Sequence, residues 1–289
     1  MAEHLWVVGP GRVGLALGLL LQRAGALASL QVAGRAAAAP AHPLFDGPAP
    51  ARYVTGLRFA AAPAPTGVLV AVPDDAVTRV AAALAARGVP AGTPVLHLAG
   101  VLGADALEPL QACGCPTGAL HPLAAVADAV GGAERLRAVW WGLEAEGAAR
   151  ALAERVVRAA EGRVLPLQPG GKPLYHAAAV LASNYVVALL AAAERLIAEA
   201  GAPPEAREAL LELAHGALAN VAARGPARGL SGPIARGDAE TVRRHLARLS
   251  GRERRLYSLL GREAVALAAE AGLEPAAVRR LQHLLMEEA

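Results

Sequence analysis

Residues 4–25, HLWVVGPGRVGLALGLLLQRAG, constrain the fold more than any other stretch of this chain. An apolar run suited to a strand leads straight into GPGRVG (9–14), and that loop opens an apolar helix ended by Gly25. A G-x-G-x-x-G is a weak signal by itself. Between a strand and a helix it has the arrangement that a dinucleotide pyrophosphate needs. Gly9 permits the tight turn, Gly11 lets a ligand approach the backbone, and Gly14 allows the helix to pack closely on the strand. Pro10, Arg12 and Val13 complete the loop. The helix N-terminus would face the anion.

The same alternation continues to residue 168. SLQVAGR (29–35) predicts a second strand, LRFA (57–60) a weak third and GVLVAVP (67–73) a strong fourth, with residues 36–56 as an irregular excursion. A helix follows from Asp74. TPVLHLAG (93–100), PTGALHP (116–122), AVWWGLEA (138–145) and RVLPL (163–167) read as further strands, and 147–161 as a helix. Alternating strands and helices predict an α/β domain over 1–168, with a doubly wound parallel sheet of the Rossmann type. From 169 onward the strand pattern ends. Helical segments are expected at 173–200, 203–223, 238–249, 251–271 and 275–288, separated by Gly and Pro breakers. This predicts an all-helical second domain, 169–289, that binds substrate and dimerises.

Composition narrows the function classes. A chain of 289 residues suffices for two domains, each with its own core. Net charge is only +3, and the densest basic run, RRHLARLSGRERR (243–255), suits a solvated helix face, so no nucleic acid partner is expected. The two cysteines, Cys113 and Cys115, have no zinc-site spacing and read as free thiols in a reducing compartment. MAEHLWVVGPG lacks a basic stretch followed by a long apolar run, so no signal peptide is expected and a cytoplasmic location is. AAAVLASNYVVALLAAA (177–193) falls short of the roughly 20 residues of a membrane span and contains Ser183 and Asn184. An all-round apolar helix of this kind fits the centre of a bundle or a homodimer.

The end of the second strand bears on the choice of dinucleotide. An NAD site usually places Asp or Glu there to accept from the ribose 2′-hydroxyl. This chain places Gly34 and Arg35 there. A guanidinium can grip a 2′-phosphate with paired hydrogen bonds, which favours NADP. Arg12 would add a second cation. The alternative for Arg35 is an ordinary surface arginine.

Taken with the Gly loop, VLVAVPDDAV, VLHLAG, GALHPL, KPLYHAAAVLASNY and GLSGPIARGD give the chain a wider resemblance. It resembles a bacterial family that joins a Rossmann-like domain to a helical domain of unknown function, whose members are often labelled NADP oxidoreductases. Relatives of that family include pyrroline-5-carboxylate reductase, prephenate dehydrogenase, ketopantoate reductase and the β-hydroxyacid dehydrogenases. The resemblance implies a helical domain of the 6-phosphogluconate dehydrogenase C-terminal type, which completes the active site and often dimerises. Two departures stand out. Several relatives carry Lys-x-x-x-Asn at the start of the first helix after the Rossmann domain, where this chain has Lys172-x-x-x-His176. The family's His-x-Ser-Gly segment here has Ala99 in place of the serine.

In open α/β sheets, ligands sit beyond the carboxyl ends of the strands. Val72, Pro73 and Asp74 stand there, with Val72 and Pro73 expected against the nicotinamide ribose. His97 and His121 stand there too, either binding an anionic substrate or filling a core position and capping a turn. Lys172 is the only lysine in the chain. It is either a proton donor of tunable pKa or a surface residue left by an arginine-rich coding bias. At helical spacing His176, Ala179 and Ser183 share a stripe with Asn184 beside it. Ser231 either closes over a carboxylate or is a turn residue, and Asp238 is expected to cap the next helix. The leading expectation is an NADP-dependent reductase acting on the carbonyl or imine of a small acidic metabolite, such as a 2-oxo acid by analogy with ketopantoate reductase. Lys172 would polarise the oxygen, and His176 and Asn184 would orient the substrate. The alternative is a non-catalytic NADP-binding sensor.

Overall fold

The computed structural model describes residues 2–46, 51–60 and 63–286. The chain divides into two compact units, residues 1–184 and 185–289. The first unit contains an eight-stranded sheet in the order β3-β2-β1-β4-β5-β6-β7-β8. Its strands are β1 (Glu3–Val8), β2 (Leu27–Gly34), β3 (Ala51–Thr55), β4 (Gly67–Val70), β5 (Val95–His97), β6 (Thr117–Pro122), β7 (Trp140–Ala145) and β8 (Arg163–Pro166). The helices of this unit are α1 (Arg12–Arg23), α2 (Val77–Ala86), the short α3 (Glu108–Gln111) and α4 (Gly132–Arg135), α5 (Gly147–Ala159) and α6 (Lys172–Ala182).

The apolar runs of the strands have both faces covered. Along β1, Leu5 and Val7 belong to one core cluster with Leu15, Leu19, Leu152 and Val156 from α1 and α5. Trp6 and Val8 belong to a second, with Val77, Ala81 and Leu84 of α2. This is the period-two alternation of a strand sandwiched between helical layers. The helix α1 is buried from Gly14 to Leu21.

Three expectations are corrected. The third strand is 51–55, whose Tyr53, Val54 and Thr55 pair with β2. Residues 57–60 lie outside the sheet, and the apolar character of Phe59 there comes from stacking on Trp6, ring centroids 4.4 Å apart. The sheet is not wholly parallel, because β7 runs antiparallel to β6 while β7 and β8 are parallel. An antiparallel neighbour needs no helical crossover, and the 123–139 connection carries only the four-residue α4. The expected helix 173–200 is broken at Ser183, whose φ of −127° and ψ of −76° interrupt the ladder. The 47–50 part of the predicted excursion lies outside the described residues.

The second unit is helical among its described residues: α7 (Asn184–Glu199), α8 (Ala206–Gly229), α9 (Ala239–Arg248), α10 (Gly251–Glu270) and α11 (Pro275–Met286). The helix α8 continues six residues past its expected end but breaks its regular dihedrals at Gly225 (φ 74°), just before Pro226. Val242, Leu246, Val265, Leu281 and Leu285 form the core of α9, α10 and α11. Asp238 caps α9 as expected, accepting from the Thr241 N–H at 3.0 Å and the Thr241 hydroxyl at 2.7 Å. By contrast α7 buries only Ala192 and α8 only Gly229. Val187 (68% exposed) and Leu213 (72%) show how much apolar surface these two helices present. By length and composition Lys172–Glu199 is the one stretch among the described residues apolar enough to cross a membrane.

Candidate active site

The Gly loop is built by two steric requirements. Gly9 has φ +108°, and a Cβ there would lie 2.4 Å from the Ala71 carbonyl oxygen. A Cβ on Gly14 would lie 2.2 Å from the Gly9 carbonyl oxygen. Both positions exclude a side chain through backbone contacts that cannot yield. Gly11 differs. A Cβ there would meet only the Ala71 oxygen at 4.0 Å, so nothing within the protein demands a glycine. Gly11 instead borders a cavity of about 520 Å³, a size typical of small-molecule sites.

That cavity opens where the strand order reverses between β1 and β4, beyond their carboxyl ends, as ligand sites in open α/β sheets do. Gly11, Arg12 and Val13 line it, as do Val72, Pro73 and Asp74 after β4. Ala99 and Gly100 after β5, His121 at the end of β6 and His176 of α6 complete the polar and backbone lining. Pro10 and Gly34 lie off the cavity and against each other. A Cβ on Gly34 would meet the Tyr53 hydroxyl at 2.4 Å and Pro10 Cγ at 2.8 Å. Arg35, next along the chain, is exposed. The first turn of α1 carries no acidic residue, which leaves its N–H groups free for an anion.

The histidines divide by role. His97 is fully buried. Its Nε2–H donates to the Gly103 carbonyl at 2.8 Å, and its Nδ1 accepts from the Ala99 N–H at 3.2 Å. Burial lowers its pKa to about 4, so it is a neutral tie holding the turn after β5. With both nitrogens engaged it has none to offer a substrate. His121 lines the cavity, and burial, then the Lys172 charge, lowers its pKa to about 3. His176 stands edge-on to His121, ring centroids 5.6 Å apart.

Lys172 is fully buried, which removes the surface reading. Its ammonium donates to the Ala99 carbonyl at 2.9 Å and lies 5.2 Å from the centre of the Tyr175 ring. Burial depresses its pKa from 10.5 to about 8, against the opposing pull of Glu144 and Asp74. Lys172 does not itself line the cavity. It holds Ala99, which does.

Ser183 and Asn184 are exposed and outside the cavity lining. The break at Ser183 ends the helical stripe expected to join them to His176, and seven residues at helical rise place Ser183 about 10 Å further along. Ser231 lies exposed in the bend after α8, in the second unit. The sequence reading assigned no role to Tyr175, which bonds His121, nor to Gly100. Two glycines seat the consecutive rings. A Cβ on Gly142 would lie 2.4 Å from Tyr175 Cζ, and one on Gly100 2.3 Å from His176 Nδ1. The signal was present in WWGL, HLAG and KPLYH, but the pairing of glycine with ring is set by the fold.

The sheet order and the Gly loop define a Rossmann-type fold, with the loop at the sheet's switch point. Residues 4–122 match the model of the Rossmann-like domain, and residues 139–264 match that of a domain of unknown function, DUF2520. The chain thus has the two-domain make-up that its motifs resemble. A search of curated proteins returns no significant match. Among solved structures, a Thermotoga maritima protein is similar at 20% identity and TM-score 0.72, over 92% of this chain and 99% of its own. A Bacteroides fragilis protein described as a "putative NADP oxidoreductase" is similar at 22% identity and TM-score 0.68, over 91% and 98%. An Aspergillus terreus reductive aminase, in complex with NADPH and ethyl-5-oxohexanoate, is similar at 19% identity and TM-score 0.58, over 99% and 93%. These likenesses establish the fold.

Proposed function

We propose that this protein is an NADP-dependent oxidoreductase that passes a hydride between the nicotinamide and a carbonyl or imine carbon of a small molecule. The observation that carries the reading is Gly11. A Cβ there would crowd no protein atom and the residue borders the cavity, so beyond its place as the cap of α1 a bound group is the reason for a glycine there. The residues present fit a dinucleotide. The Gly loop and the N-terminus of α1 would hold the pyrophosphate, Arg35 the 2′-phosphate, and Val72, Pro73 and Asp74 the nicotinamide ribose side. Bound there, the nicotinamide supplies the hydride chemistry. His121 and His176 would contact the substrate, and Lys172 would act through Ala99 as a positioning residue. The names of the Bacteroides and Aspergillus proteins support the same cofactor.

Arg35→Asp tests the cofactor. Calorimetry should show NADP(H) binding weakened about ten- to hundredfold while NAD(H) binding changes little, since a charge-assisted pair contributes roughly 1.5–3 kcal/mol. Equal affinity of the unmutated protein for NAD and NADP would remove the role given to Arg35. Turnover of NADPH against a panel of imines and oxo compounds separates a reductase from a non-catalytic binder.

The exposed apolar residues of α7 and α8 support a homodimer as the state in which the protein works. Light scattering at micromolar concentration should give about twice the 29.3 kDa of one chain. A monomer, or recovery only in detergent, would count against it.

A further inference from the structure

His121 and Tyr175 are 54 residues apart and joined by two short contacts. The Tyr175 hydroxyl oxygen is 3.1 Å from the His121 carbonyl oxygen and 3.0 Å from His121 Nδ1. A phenol has one hydrogen to give. If it goes to the carbonyl, the phenol oxygen accepts from an Nδ1–H, and both contacts are hydrogen bonds. If it goes to Nδ1, two oxygens stand 3.1 Å apart with only the Gly142 N–H, which also reaches the phenol oxygen, beside them. The first arrangement satisfies both distances, and it places the imidazole proton on Nδ1. In the neutral ring Nε2 then carries only a lone pair.

Nε2 has no hydrogen-bond partner among the described residues and is not sealed from solvent. With the Nδ1 edge turned to Tyr175, the Nε2 edge is the one left for the cavity that His121 lines. The ring does not switch to a cation at neutral pH, because burial and the Lys172 charge both oppose protonation. The always-charged side chains of the lining are Arg12, on the Gly loop, and Asp74, and Lys172 is turned to Ala99.

We propose that His121 presents a bare nitrogen lone pair to the cavity, so that the ligand group seated beside it is an N–H or O–H donor and not a carboxylate. The proposal deepens the oxidoreductase reading and rests on it for the identity of the cavity as the substrate end. It replaces the anion-binding role expected of His121, and with it the 2-oxo acid as substrate class at this position. Tyr175 is the positioning residue that sets the tautomer. The donor can come from an amine, imine N–H or alcohol substrate, or from the carboxamide of the nicotinamide itself.

The first measurement needs no variant. Nitrogen-15 spectra of the histidine-labelled protein at pH 7 should show a neutral His121 with its proton on Nδ1. A proton on Nε2, or an imidazolium, would overturn the proposal. Tyr175→Phe should let the Nε2–H form appear, whereas an unchanged tautomer would mean Tyr175 only packs and would also overturn it. Isopropylamine, isopropanol and isobutyrate are then titrated onto the protein alone and onto the protein with NADP⁺. The amine or the alcohol should move the Nε2 resonance saturably, and His121→Leu should weaken that binding roughly five- to tenfold, the effect of one lost hydrogen bond. If NADP⁺ alone moves Nε2 while its 3-acetylpyridine analogue does not, the carboxamide is the donor and the proposal stands with that source. Binding of isobutyrate at His121, or no movement of Nε2 by any donor, sinks it. Failure of the cofactor reading shows separately, as absent NADP⁺ binding in calorimetry, and the tautomer measurement and the titrations on the protein alone still decide this proposal.

Discussion

Gly14→Ala is expected to destabilise the protein by about 3 kcal/mol and to abolish NADP(H) binding, while Gly11→Ala is expected to spare the fold and lose the ligand. At Gly14 the new methyl would sit 2.2 Å from the Gly9 carbonyl oxygen, a backbone atom held in turn by the packing of Gly9 on Ala71. Overpacking of this kind forces backbone shifts and costs up to about 3 kcal/mol. At Gly11 the φ of −82° is open to any residue, and the methyl would enter the cavity. Stability should fall by no more than the ~1 kcal/mol of a poorer helix cap, yet NADPH affinity should fall at least about tenfold as backbone and pyrophosphate are pushed apart. Urea unfolding and calorimetry on both variants check this. A Gly11→Ala protein that binds NADPH as well as the unmutated one would remove the observation on which the proposed function rests.

Lys172→Met should abolish a rise in stability between about pH 8 and pH 10.5. The unfolded lysine titrates near 10.5 and the folded one near 8, because burial opposes the charge. Below pH 8 both states carry the proton, and the burial cost is present in full and independent of pH. Between the two values the folded protein has released its proton and the unfolded chain still binds one, so stability climbs with pH. The full difference is on the order of 3 kcal/mol. Methionine fills a similar volume with no titrating group, so subtracting the two stability curves isolates this effect. Parallel curves from pH 7 to 10.5 would show that the buried ammonium is not depressed. The variant also leaves the Ala99 carbonyl without its donor. The resulting shift in the cavity wall should raise KM for the nicotinamide substrate more than it lowers kcat, the opposite of losing a proton donor.

The parts of the site that follow local rules were legible. G-x-G-x-x-G between an apolar strand and an apolar helix led to the Gly loop, and Gly9 and Gly14 occupy positions that backbone sterics require. The apolar continuity of GVLVAVP led to a strand covered on both faces. Asp238 as a cap needed only the residues next to it. Misreadings arose where a distant contact overrode the local pattern. Phe59 is apolar because it stacks on Trp6, not because it lies in a strand. The run from 173 to 200 looked like one helix because alanine and leucine tolerate a helix anywhere, and nothing local to Ser183 announces the break. His97 and His121 were indistinguishable as letters at two strand ends.

The sequence by itself determined the class of fold, the position of the Gly loop, the division into a sheet-bearing and a helical part and the isolation of one lysine among arginines. These depend on periodicity, on glycine's freedom at positive φ and on residue counts, all carried by neighbours along the chain. Tertiary structure decided what each polar group does. Lys172 faces Ala99, 73 residues away, rather than solvent. His97 spends both ring nitrogens on its own turn, and His121 keeps one free because Tyr175 takes the other. A side chain's donor, acceptor or charge state is set by what it touches and by how much water reaches it, and those partners come together only when the sheet and α6 have packed.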